Sequence, residues 1–115
     1  MPNLRRIGTD AEDRAAAYLL DKGYTIVTRR YQTKHGEIDI VALDGDILVF
    51  VEVKYRAQPD SFPETAVDTV KAERLAHAAE RYAIEFGCLD KQTRYDMVAV
   101  TPRAIRHHID AFRPR

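Results

Sequence analysis

Residues 36–56, GEIDIVALDGDILVFVEVKYR, constrain the fold more than any other stretch of the chain. Two apolar, strand-like runs flank Asp44-Gly45, a dipeptide that tolerates the positive φ of a tight hairpin turn. In the first run, alternation places Glu37, Asp39, Val41 and Leu43 on one face and Ile38, Ile40 and Ala42 on the other. The second run, residues 47–53, is apolar on both faces, as expected of a central strand covered from both sides. It then delivers Glu52 and Lys54 on the face of Leu48 and Phe50. A carboxylate on such a surface costs several kcal/mol unless it finds a partner, a proton or a metal. If the two strands pair about the hairpin, Asp39, Glu52 and Lys54 converge.

The chemistry of that trio is specific. Asp39 is followed by twelve residues and then Glu52-Val53-Lys54. Two carboxylates at adjoining strand ends make a hard-oxygen site suited to Mg²⁺ or Mn²⁺, and the Val53 carbonyl can add a ligand. Lys54 can orient or deprotonate an attacking water and stabilise charge growing on phosphorus. Together they suit hydrolysis of a phosphodiester. Of the five lysines only Lys54 has an acidic residue two positions before it, and it falls on the most apolar strand. The competing interpretation is a structural Glu52–Lys54 or Asp39–Lys54 pair at a strand end.

The rest of the chain supplies layers around this hairpin. Residues 1–8 read as a flexible arm bearing Arg5 and Arg6, and Thr9 with Glu12 has the form of a capping box opening a helix to about Lys22. Gly23 stops it, and residues 24–31 read as a strand turning through residues 32–36 into the hairpin. Residues 55–63 form a loop with two prolines beside the trio. A second helix begins with a Ser61/Glu64 box or as late as Asp68 and runs to about Phe86, with Val67, Val70, Leu75, Ala78, Ala79, Tyr82 and Phe86 in its buried stripe. Residues 94–101 form another strand, and the residues after Pro102 fit a helix or a strand equally. The order α-β-β-β-α-β predicts an α/β fold, a mixed sheet with helices on its faces.

With 115 residues, 45% of them hydrophobic, the chain is expected to form one domain spanning residues 1–115. Eighteen basic and eighteen acidic side chains cancel, so any grip on phosphate must come from local patches. Arg5, Arg6, Arg29, Arg30, Lys34, Arg56, Arg103 and Arg106 form the pool for such contacts. Cys88 stands alone, which excludes an internal disulfide, and no apolar run reaches membrane-spanning length; a cytoplasmic location is expected.

The segments Gly36-Glu37-Ile38-Asp39 and Val49-Phe50-Val51-Glu52-Val53-Lys54-Tyr55-Arg56 resemble the signature of the YraN-type uncharacterised protein family. That family is placed with the PD-(D/E)XK nuclease superfamily, near the archaeal Holliday-junction resolvases. The similarity extends through Gly8, Glu12, Ala15, Tyr18-Leu19, Gly23-Tyr24, Val67, Lys71, Arg94-Tyr95-Asp96 and Ala111-Phe112, nearly the whole chain. The resemblance implies a restriction-endonuclease-like fold, a divalent metal and a DNA substrate. It also implies that Glu12 reaches the metal from its helix, against the capping role the residues suggest, and that Lys71 faces the site, against a solvated helix position.

Glu37 shares the expected face of Asp39 and either supports the metal ligands or is solvated. Asp96 reads as structural, paired with an arginine. His107 and His108 point apart on a strand and do not suggest a metal pair; His35 and His77 show no partner signal. Two readings follow. One is a Mg²⁺- or Mn²⁺-dependent DNA endonuclease with Asp39, Glu52 and Lys54 catalytic, Arg30, Arg56 and Lys71 on phosphates, and branched or damaged DNA as substrate. The other is a nuclease-fold module that binds DNA or a protein and cleaves nothing. A homodimer is compatible with both.

Overall fold

The computed structural model describes residues 4–57 and 69–111. Helix α1 (Leu4–Asp21) precedes three antiparallel strands, β1 (Thr25–Gln32), β2 (Glu37–Asp44) and β3 (Ile47–Tyr55). Helix α2 (Thr69–Phe86) carries the chain over to β4 (Thr93–Val100), parallel to β3, and β5 (Ile105–His108) returns antiparallel along its outer edge. The sheet order is β1-β2-β3-β4-β5, a mixed five-stranded sheet with one helix on each face.

Strand β3 is central because its side chains are apolar in both directions. Val49 and Val51 join Ala11, Ala15 and Leu19 of α1, while Leu48 and Phe50 join Leu75, Ala78 and Tyr82 of α2. Phe50, Val49 and Val51 are essentially sealed from solvent. Truncating a residue such as Phe50 to alanine would cost about 3–5 kcal/mol. The helix ends follow the expected glycines. Gly23 adopts φ +94°, and the Tyr24 N–H reaches back to Leu19 O at 3.0 Å while the Gly23 N–H bonds Leu20 O at 3.0 Å. This double reach of amides satisfies two orphan carbonyls and packs Tyr24 on Leu19.

Four expectations are corrected. Helix α1 begins at Leu4, so residues 4–8 are helical rather than an arm; the side chains of Arg5 and Arg6 lie outside those described. Thr9 and Glu12 therefore lie inside the helix and form no capping box, because the amides there bond to carbonyls four residues back. Their side chains turn to β1 instead. Third, Ile38 packs toward α2 with Val41, whereas Ile40 and Ala42 pack toward α1, so strict alternation fails around Asp39. The ambiguous C-terminal stretch resolves as strand β5 because the free edge of β4 offers it a ladder. Phe86, expected in the buried stripe of α2, is instead exposed, because it lies at the last residue of the helix, beyond the sheet-covered turns. The Ser61/Glu64 box, Val67, the Val70 side chain and Phe112 lie outside the described residues.

A buried polar network fixes β5 to the sheet. Asp96 is wholly buried and accepts from Arg94 Nε at 2.9 Å, Arg94 Nη2 at 3.0 Å and the Asp110 amide at 3.0 Å, with His107 Nε2 at 2.7 Å. Burial raises its pKa, but His107, Arg94 and the Asp110 N–H outweigh burial and hold the carboxyl below its usual value. Arg94 extends the network to Asp44 at 3.0 Å and Tyr24 Oη at 2.7 Å. Asp96 is thus arginine-paired, as its sequence position suggested. Among the described residues no helix is long and apolar enough to cross a membrane.

Candidate active site

The β2–β3 ladder runs from Asp44↔Ile47 to Ile40↔Val51 and then stops. One residue further, the register would set Asp39 opposite Glu52. Instead the Asp39 side chain enters the gap, and its Oδ2 accepts the Val53 N–H at 2.8 Å. A carboxylate thus takes the place of a strand carbonyl. On the other side of β2, the β1 pairing passes from Arg29↔Ile40 to Tyr31↔Ile38 and omits Arg30 and Asp39. Arg30 sits at φ +57°, a left-handed conformation costing about 1–2 kcal/mol for a residue with a Cβ. The β1–β2 register shift lies further back, between Ile26 and Thr28; the left-handed Arg30 and the end of the β2–β3 ladder lie beside Asp39, where the alternation breaks. Strain concentrated at one polar position is a feature of working sites.

Asp39 lines a cleft of about 630 Å³ together with Thr9 and Glu12 of α1, Arg30 of β1, Glu37 of β2, and Val53 and Tyr55 of β3. Its carboxyl is pushed up to about 8, first by burial and then by the negative charge of Glu52; the Val53 N–H opposes this, and Glu12 and Glu37 add to it. Four carboxylates therefore act on one place. A strand residue directs its N–H and C=O to the same edge, so the Val53 carbonyl opens toward the same gap.

The positive groups close the charge balance. Lys71, from the first turns of α2, forms an ion pair with Glu52. Glu52 is the more enclosed partner, with side chains 12% and 44% exposed for Glu52 and Lys71. Glu12 is bonded by Arg29 Nη2 and Arg30 Nε, both at 3.2 Å, and Arg30 Nη2 donates to Thr9 Oγ1 at 2.7 Å. Arg29 also meets Asp13 at 2.6 Å. Lys54 is half-buried and follows Glu52 by two residues on the α2 side of β3. Arg56 is exposed just beyond β3, its N–H bonded to Val100 O at 2.9 Å. Glu37 is exposed and accepts from Gln32 Nε2 at 3.3 Å.

Asp39 and Glu52 are thus within each other's field across the strand gap, while Glu12 shares the Asp39 cleft but is anchored by two arginines. Among the described residues no three His, Cys, Asp or Glu side chains are gathered tightly enough to hold a metal by themselves. The donor set that fits a hard divalent cation is two carboxylates plus a backbone carbonyl, with water or substrate oxygens completing it. The mutual repulsion recorded at Asp39 is what a cation there would relieve. Sequence reasoning did not foresee that Lys71 neutralises Glu52 or that Arg29 and Arg30 hold Glu12. Neither contact has a local signal, because each joins elements brought together only by the fold.

The comparisons agree with this architecture. The crystal structure of Hjc from Archaeoglobus fulgidus, described as a Holliday junction resolvase from an archaeal hyperthermophile, superposes with a TM-score of 0.55. The match covers 89% of this chain and 76% of that one at 21% sequence identity, so the shared property is the fold. A UPF0102 protein of Rhodopseudomonas palustris is 42% identical over 107 residues, covering 92% of this chain and 78% of the relative. Another, of Persephonella marina, is 33% identical over 106 residues, covering 91% of each chain. The pattern described as "Uncharacterised protein family UPF0102" matches residues 11–100. Reaching from the core of α1 to the end of β4 and bracketing Asp39, Glu52 and Lys54, that match makes this chain a member of the UPF0102, or YraN-type, family.

Proposed function

We propose that this protein is a divalent-cation-dependent DNA endonuclease, with branched or damaged DNA as the substrate class. One observation carries the reading: Asp39 leaves the strand ladder to stand at a gap shared with Glu52 and the Val53 carbonyl. A purely structural Asp39 would gain little from a position that raises its own charging cost. Asp39, Glu52 and the Val53 carbonyl would hold Mg²⁺ or Mn²⁺. Bound there, the cation would lower the pKa of a water and neutralise phosphate charge. Glu12 acts through Arg29 and Arg30, keeping Arg30 at the cleft where a phosphate can meet it.

Lys54 orients the attacking water and stabilises the charge that grows on the phosphoryl oxygens. The water oxygen loses a proton and bonds to phosphorus, one P–O ester bond breaks, and the leaving alkoxide takes up a proton, so the water is divided between the two products. Arg56, exposed just beyond β3, and Lys71 would contact flanking phosphates in this reading. The alternative, a nuclease-fold module that binds without cutting, is favoured by the Lys71–Glu52 pair, which already neutralises one motif carboxylate.

Single-turnover cleavage of single-stranded, duplex, flap and four-way-junction DNA in Mg²⁺ and Mn²⁺ tests the reading. Lys54→Ala should cut the rate by about a hundredfold or more while leaving DNA affinity in Ca²⁺ nearly unchanged, because its interaction belongs to the transition state. Absence of metal-dependent cleavage in the wild type on every substrate selects the binding module. Cleavage undiminished by Lys54→Ala rules out the mechanism.

A further inference from the structure

A second cleft, of about 700 Å³, lies between the β1–β2 turn and α2. The turn is built rather than loose. Thr33 N–H donates to Gly36 O at 2.8 Å, and Thr33 Oγ1 accepts from the amides of His35 at 3.1 Å and Gly36 at 3.2 Å. The turn is also docked closely on α2: a Cβ on Gly36 would meet the Arg74 carbonyl oxygen at 3.1 Å and its Cβ at 3.2 Å. Docking sets the His35 ring 5.7 Å from that of His77, tilted by 44°. Lys34, His35, Arg74 and His77 are all exposed, so this arrangement does not serve the core.

Gln32 and Glu37 line both this cleft and the one at Asp39, so the two adjoin at the end of the β1–β2 hairpin. Two cations and two imidazoles face two carboxylates, Glu37 and Glu73. Lys34, His35, Arg74 and His77 together carry more N–H donors than the two carboxylates, one of which also accepts from Gln32, can take up. A surplus of N–H donors on a rigid polar wall fits phosphate oxygens, which are recognised through such donors irrespective of base sequence.

We propose that the cleft between the β1–β2 turn and α2 holds the phosphodiester backbone of the DNA strand continuing from the Asp39 cleft, gripped by Lys34, His35, Arg74 and His77. The proposal rests on the nuclease reading of the Asp39 site and adds the path of the strand beyond it. Lys34 and Arg74 supply the charge. His35 and His77 donate between them.

The test is anisotropy of fluorescein-labelled duplex and four-way-junction DNA with the full chain in Ca²⁺, over a salt series. Lys34→Ala/Arg74→Ala should weaken binding on the order of tenfold at 0.15 M salt and reduce the magnitude of the log–log salt slope by about 1.8, since each lost phosphate contact removes about 0.9. Arg74→Ala keeps the Cβ and carbonyl that Gly36 touches, so the fold is preserved; an unchanged melting temperature verifies this. His35→Gln/His77→Gln should weaken binding several-fold. Unchanged affinity and slope in the Lys34/Arg74 variant, with the wild type binding and cleaving, overturns this inference alone. Absence of DNA binding by the wild type overturns it together with the nuclease reading.

Discussion

Removing the charge of Lys71 should strengthen divalent-cation binding, although it deletes a basic residue from a nucleic-acid-binding candidate. Lys71 is paired with Glu52, so a cation that uses Glu52 must displace it. Two unit charges about 4 Å apart interact by roughly 1 kcal/mol in water and roughly 4 kcal/mol at an effective dielectric near 20. The Lys71 side chain is 44% exposed and that of Glu52 12%, which places the pair toward the wetter limit, at about 1–2 kcal/mol. Lys71→Met should therefore tighten Mn²⁺ or Mg²⁺ binding by roughly tenfold, since each 1.4 kcal/mol is a factor of ten. Lys71→Arg, which keeps a cation on Glu52, should bind metal much as the wild type does. Isothermal titration calorimetry of the three proteins without DNA reads this directly, and a structural lesion would only weaken the affinity. Equal or weaker metal binding by Lys71→Met, with the wild type binding measurably, would refute the competition of Lys71 and metal for Glu52.

Two further outcomes follow from the buried carboxyls. Asp39, raised from 3.8 to about 8, keeps its proton in the folded chain where the unfolded chain has lost it, so stability without metal should fall as pH rises from about 4 to about 8 and then level off. Thermal melts should show this decline in the wild type and a flatter profile in Asp39→Asn. Asp96 has the opposite sign: its pKa is lowered, so its contribution is present above the unfolded value near 3.8 and is lost as pH falls through the lower folded value. Asp96→Asn should cost about 3–5 kcal/mol in urea denaturation at pH 7, because Arg94 loses its buried counter-charge, and a loss below about 1 kcal/mol would contradict the network.

The features determined by the sequence alone are those set by near neighbours. The hairpin at Asp44-Gly45, the two-sided apolar β3, the glycine-stopped helices and the pairing of Asp96 with an arginine depend on periodicity or on local composition, whereas that the arginine is Arg94 came from the structure. The hairpin register links Asp39, Glu52 and Lys54 in the sequence, but in the fold the ladder ends at Ile40↔Val51 and of the three only Asp39 lines the cleft against α1. What only the tertiary structure decided joins residues distant in the chain. The start of α1 at Leu4 turned Thr9 and Glu12 from a cap into anchors for Arg30, twenty-one and eighteen residues away. The divergence of β2 from β3 turned Asp39 out of its expected face, and the placement of α2 brought Lys71 to Glu52 and His77 to His35. Local pattern reports which face an isolated element would bury, whereas the charge a residue meets depends on which elements pack beside it. That information is absent until both helices have closed over the sheet.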